Sequence, residues 1–189
     1  AKWGLESANV HADIRRENMV DVCTSCHNSN FTDNFFLQYE GLITLYDEKF
    51  ATPGEKLYKA ALPLLRSDAD VNHIKFSEKI DFVWFEIWHH EGRRARHGAS
   101  MMAPDYTHWH GTYELAKNFY SEFIPEIEEI IERGLHSDSR KDKNTAKELQ
   151  KLLDDVMASD NHKWIDGNMN SDEKKRRKKA SDEFKARYK

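Results

Sequence analysis

The 189-residue sequence predicts an all-α fold. Three observations carry that reading. Apolar side chains recur at three- and four-residue spacing over most of the chain. Helix-start signals precede two of those runs. The apolar/polar alternation that marks a half-buried strand is almost absent.

Taken in order, residues from about Ser7 to Cys23 read as a helix, with Val10, Ile14 and Val20 to Val22 on one side and Arg15, Arg16 and Glu17 on the other. Asn28-Ser29-Asn30 is a break. Phe35, Phe36, Tyr39, Leu42, Ile43, Tyr46 and Phe50 then define a helix of about five turns. Thr52-Pro53-Gly54-Glu55 predicts a restart through a capping box with proline at the first helical position. Leu57, Ala61, Leu62 and Leu65 carry that helix to about Arg66. Ser67 to His73 is polar and loop-like.

Ile80 to Trp88 is the most apolar run. A buried strand is the competing reading, but the charged continuation to Arg96 favours a helix. Gly98 to Pro104 is a break. A long helix is expected from Asp105 to Arg133, closed by Gly134 and bent at Pro125, where the ring meets the carbonyl four residues back. Ser137 to Asn144 is a charged linker. Thr145 with Glu148 forms a second capping box, opening a helix to about Met157. Ser171 to Tyr188 is a last, highly charged helix with little apolar face.

Composition narrows the function classes. Charged residues make up 33% and hydrophobic ones 39%, and no run of about 18 apolar residues exists, so no membrane span is expected. Ala1 to Leu5 carries no apolar stretch of the kind found in an export signal, so such a signal is expected to have been removed or to belong to a longer precursor. A net charge of −4 gives no case for nucleic acid. The charge is unevenly placed. Residues 172–189 hold nine Lys/Arg against four Asp/Glu, leaving 20 against 29 elsewhere: a body near −9 and a tail near +5. Aromatics reach 12%, high for so polar a chain.

The chain is organised around Cys23-Thr24-Ser25-Cys26-His27, which holds both of its cysteines. A C-x-x-C-H run lets two thiols add across the two vinyl groups of one haem while the adjacent imidazole takes the iron as proximal ligand. The competing readings are weaker. A thioredoxin-like dithiol needs a βαβ context that is missing here. Zinc needs two further ligands from outside the motif. A structural disulfide leaves His27 unexplained. A covalently attached haem c is therefore expected, and with it a periplasmic or equivalent extracytoplasmic compartment.

The other histidines set geometric limits. His11 lies 16 residues before His27, about 24 Å along a continuous helix, too far to ligate the same iron. His89, His90, His97, His108 and His110 crowd into 22 residues together with Arg93, Arg94, Arg96, Met101 and Met102. Arginines suit haem propionates. A histidine or methionine here is a candidate sixth iron ligand.

On these residues a resemblance appears. His89-His90-Glu91-Gly92-Arg93-Arg94-Ala95-Arg96-His97-Gly98-Ala99, followed by residues Met101 to Gly111 with Pro104-Asp105-Tyr106 and His108-Trp109-His110, resembles the C-terminal part of octahaem hydroxylamine oxidoreductases, relatives of the multihaem nitrite reductases. The basic tail from Asp172 to Tyr188 is similar too. The resemblance covers most of the chain and is most specific from His89 to Gly111. It implies that His27 is proximal to the last haem, that His11 and His97 are distal ligands to haems attached elsewhere, and that His90 and His110 are weaker ligand candidates. It also implies that Tyr106, with Tyr113 in reserve, crosslinks to the catalytic haem of a neighbouring subunit in a trimer. One haem motif stands where the family has eight, so the remaining haems are expected on other sequence.

The implied fold class is an all-α, trimer-forming part of a multihaem cytochrome c. Residues 1–104 form a haem c-bearing helical region, and residues 105–189 a long-helix region with a charged C-terminal tail. The implied function is oxidation of hydroxylamine or hydrazine within a larger assembly, a homotrimer or a complex with a haem-rich chain, passing electrons to a partner such as a small cytochrome. The alternatives are a multihaem nitrite or hydroxylamine reductase and a non-catalytic single-haem electron-transfer module.

Overall fold

A computed structural model describes residues 9–65, 74–165, 167 and 169–187, and every regular element among them is helical. The nine α-helices are α1 (Ala12–Thr24), α2 (Ser29–Tyr46), α3 (Thr52–Ala61), α4 (Lys79–Phe85), α5 (Gly92–Ser100), α6 (Glu114–Asn118), α7 (Ile124–His136), α8 (Arg140–Ala158) and α9 (Ser171–Arg187). The all-α expectation holds. The loop expected at Ser67 to His73 lies outside the described residues, whereas the helix expected to reach about Arg66 stops as an α-helix at Ala61 and closes in a 3-10 turn over Leu62–Leu64 that Pro63 favours.

Four π-helical segments join these helices: Asp47–Ala51, Glu86–Glu91, Tyr106–Tyr113 and Phe119–Phe123. Such turns are rare and tend to occur where function demands an altered side-chain register. They also explain several departures from the expected boundaries. No cap forms at Thr52, because the chain arrives already helical through Asp47–Ala51 and Thr52 keeps helical angles. Pro53 then falls where the wider turn has already displaced the i→i−4 ladder. The long helix expected from Asp105 is divided twice, at Tyr106–Tyr113 and Phe119–Phe123, and Pro125 sits in the first turn of α7, where a missing N–H costs least.

Other boundaries move for packing reasons. Gly134 does not close α7, which continues to His136. A Cβ on Gly134 would stand 2.9 Å from that of Ala146 in α8, so the glycine marks a close helix crossing rather than a terminus. α8 opens at Arg140, not Thr145: Ser139 accepts from the Asp142 amide, and the Thr145 hydroxyl donates back to the Lys141 carbonyl. α5 runs through Gly98 to Ser100, leaving only residues 101–103 as the break, with Met102 at φ +53°.

The core lies where α3, α4, α7 and α8 meet the segments around Glu86–Glu91 and Phe119–Phe123. Phe50, Leu57, Ile80, Ile87, Leu115, Phe119, Phe123, Ile127, Ile130 and Leu149 are buried there. Phe50 meets Phe119 edge-on at 5.3 Å, and Trp84 leans on Tyr58 and Phe123. A polar clamp fastens α4: the Tyr58 hydroxyl donates to Asp81 Oδ1 at 2.5 Å, and Asp81 Oδ2 accepts from the Glu78 amide. Tyr46 ties the α2 end to the middle of the molecule, donating to the Trp88 carbonyl and lying under the Arg96 guanidinium.

α1 is different. None of its residues is buried, and Ile14, Met19 and Val22 are exposed. Of the apolar side expected for this helix, Ile14 and Val22 therefore face outward, while Val10 and Val20 are half-buried. Phe31, Leu37 and Leu45 of α2 are exposed as well. The α1–α2 arm carries the cysteine motif; α2 packs on α1 and α5, and its Tyr46 end joins the core.

Candidate functional site

The last turn of α1 builds the motif. The His27 amide donates to the Cys23 carbonyl at 2.9 Å, and the Cys26 amide to the same oxygen at 3.2 Å. The Thr24 and Ser25 hydroxyls turn back to the carbonyls of Val20 and Val22. This winding sets Cys23 and Cys26 three residues apart on one side of the chain. Both thiols are free; Cys23 is half-buried and Cys26 exposed. The exposed His27 ring stacks on Phe31 at 4.4 Å, and Asn28 begins α2 by accepting from the Phe31 amide. Two accessible thiols one turn apart, beside an imidazole held by a stacking contact, form a donor set that fits a thioether-linked haem.

A second group forms where α5 packs on Tyr106–Tyr113. His89, His90, Arg93, Arg94, His97 and Tyr106 line one cleft of about 330 Å³. The structure thus brings together four of the sequence candidates, His89, His90, His97 and Tyr106. His97 also borders a cleft of about 670 Å³ with Arg16, Tyr39, Glu40, Arg93 and Arg96, where Glu40 takes up Arg16 and leaves Arg93 and Arg96 as a cationic edge that favours acidic groups. Tyr106 is 44% exposed and its ring lies 5.6 Å from that of His110. His110 Nδ1 is 3.4 Å from Glu114, which also accepts from Arg94 at 3.0 Å. Tyr113 packs edge-on against Trp109. Met101 points outward, while Met102 edges an open cleft of about 500 Å³ whose walls include Phe35, Tyr39, Leu42 and Thr107.

The cleft depends on a close approach. A Cβ on Gly111 would stand 2.5 Å from the Cα of Ala95, so the Tyr106–Tyr113 segment lies nearly backbone to backbone on α5. His11 belongs to neither group. It precedes α1, whose 13 residues span about 20 Å, and pairs with Asp13 at 3.2 Å. Arg16, the next turn along, reaches the His97 cleft and pairs with Glu40.

Sequence reasoning missed the carboxylates that partner these histidines, Glu86, Glu91 and Glu114. The Glu86/His90/Glu91 spacing converges only on a π-helix, a turn the sequence does not announce. Burial pushes the Glu91 carboxyl above its usual range, and Glu86 adds to the shift. The most buried described histidine also lies outside the predicted set. His162 is 1% exposed, stacks on Phe119 and meets the Tyr120 hydroxyl at 2.9 Å. Burial, then Lys49, lowers its pKa, and burial pushes Tyr120 up to about 12.

No protein-family model matches the chain, and comparison with curated proteins and with solved structures finds no significant likeness.

Proposed function

We propose that this chain is a haem-bearing module of a multihaem c-type cytochrome, working in an extracytoplasmic compartment within a larger assembly that oxidises hydroxylamine or hydrazine. The observation that carries the proposal is the end of α1: two free, accessible thiols at C-x-x-C spacing followed directly by an exposed imidazole. Haem bound there supplies a one-electron iron couple. Cys23 and Cys26 hold it through thioethers, and His27 is its proximal ligand. The cationic edge of the His97 cleft suits propionates.

The resemblance to hydroxylamine oxidoreductases supports the finer assignments. His11 and His97 ligate haems carried by other sequence, and Tyr106 is presented to a neighbouring subunit in a trimer. The exposure of Tyr106 and the outward apolar side chains of α1 and α2 support contact with such companions. No described helix is long and apolar enough to cross a membrane.

The test is intact-mass and absorption measurement on the chain produced with a haem-attachment system in an oxidising compartment. The expected product carries one haem, lost in Cys23→Ser/Cys26→Ser. A colourless chain, or a Cys23–Cys26 disulfide in its place, overturns the reading. In the assembled enzyme, a mass adduct on Tyr106 points to oxidation, whereas a free Tyr106 points to a reductase.

A further inference from the structure

Glu86, His90 and Glu91 converge within the π-helical segment Glu86–Glu91. On an α-helix, position i+5 turns well away from position i. The wider turn of a π-helix brings both i+4 and i+5 back over it. One oxygen from each carboxylate and the imidazole Nδ1 accordingly lie within 4.8 Å of one another. His90 Nδ1 stands 2.9 Å from Glu86 Oε2 and 3.5 Å from Glu91 Oε1.

The second observation is the state of Glu91. It is only 5% exposed, and its other oxygen, Oε2, is buried with no hydrogen-bond partner. A buried carboxylate in that condition is costly unless something cationic completes its shell. Of the arginines that share the cleft with His90, Arg94 is engaged by Glu114 at 3.0 Å and Arg93 stands 3.2 Å from His89 Nε2.

We propose that Glu86, His90 and Glu91 bind a divalent transition-metal cation, with zinc the best fit. One imidazole and two carboxylates suit zinc better than magnesium or calcium, which favour all-oxygen shells. The side chains of His90 and Glu86 are 46% and 44% exposed, so the outer side of the site is open to solvent. Three protein ligands with an open position resemble zinc sites that admit water or a substrate atom rather than closed structural ones. The assignment gives His90 to this cation and not to haem iron. It is independent of haem attachment, since none of the three ligands belongs to the Cys23–His27 motif.

The test is calorimetric titration of the full chain with Zn²⁺ in a Cys23→Ser/Cys26→Ser background, which removes the motif thiols as competing chelators. One equivalent is expected to bind, with Mg²⁺ failing to compete. Glu86→Gln, His90→Gln and Glu91→Gln should each weaken binding by roughly tenfold or more. Circular dichroism checks that each variant stays helical; because Glu91 is buried, the half-exposed Glu86 provides the control least exposed to misfolding. Absence of binding in the serine background, or a loss in fewer than all three folded variants, overturns the site.

Discussion

Replacing Gly111 with alanine should destabilise the protein, although the usual helical preference runs the other way. Alanine in place of glycine at an unobstructed helical position contributes about 0.5–1 kcal/mol. At Gly111 the new methyl would lie 2.5 Å from the Cα, 2.7 Å from the N and 2.8 Å from the Cβ of Ala95. Two of those atoms are backbone, so the helices themselves must separate. Overpacking costs about 1–3 kcal/mol, and backbone contact places this case near the top of that range. The net expectation is a loss of about 2 kcal/mol, or a melting temperature roughly 4–8 °C lower for a chain of this size. Gly41, on the exposed side of α2, has nothing within 4 Å and should show the opposite sign, with Gly41→Ala gaining up to about 1 kcal/mol. Thermal and denaturant melts followed by circular dichroism measure both. Adding Ala95→Gly to Gly111→Ala should not restore stability, because the Cα and N contacts remain. Equal effects at Gly41 and Gly111, or full rescue by Ala95→Gly, would refute the close-approach argument.

Four further outcomes follow from particular contacts. Cys23→Ser/Cys26→Ser should change the stability of the haem-free chain by less than about 0.5 kcal/mol, since α1 has no buried residue; a large drop in denaturant midpoint would show that the arm supports the core. Leu149→Ala, at a position 1% exposed between α8 and its neighbours, should cost about 2–4 kcal/mol in the same melts. Tyr58→Phe removes the 2.5 Å bond to the buried Asp81 and should cost about 1–3 kcal/mol; an unchanged midpoint would mean the clamp on α4 is unimportant. His162 has a pKa held below its ordinary 6.5, so the unfolded chain takes up the proton first. Its contribution to stability is therefore complete above that range and declines as pH falls through it. A His162→Phe variant with the same pH slope as the parent would rule this histidine out as the cause.

The sequence was most legible where side-chain pattern and backbone register agree. The spacing of Leu57 and Ala61, or of Ile127, Ile130 and Ile131, is ordinary α periodicity, and those residues are core. It was least legible where the register changes. Thr52 with Glu55 and Thr145 with Glu148 both have the letters of a capping box, yet each stands within a helix that began earlier, because a cap needs extended backbone that neither receives. Likewise Gly134 reads as a stop, but what matters there is the neighbouring Ala146. At the site, the crowding of histidines and the resemblance pointed to His90, His97 and Tyr106, and the structure adds the cleft they share. Glu86 and Glu91 stayed hidden because converging positions i, i+4 and i+5 require a turn wider than the α-helix. His162 escaped notice because a single histidine among Ser, Asp and Asn gives no sign that Phe119 will cover it.

The bareness of α1 has a consequence for how readily it opens. A helix that contributes nothing to the interior can open with little energetic penalty, so its amides should exchange with deuterated solvent far faster than those of α7 or α8. Cys23 and Cys26 can therefore be reached by a thiol reagent on an already collapsed chain, without unravelling it. Covering Ile14, Met19 and Val22 would slow that exchange.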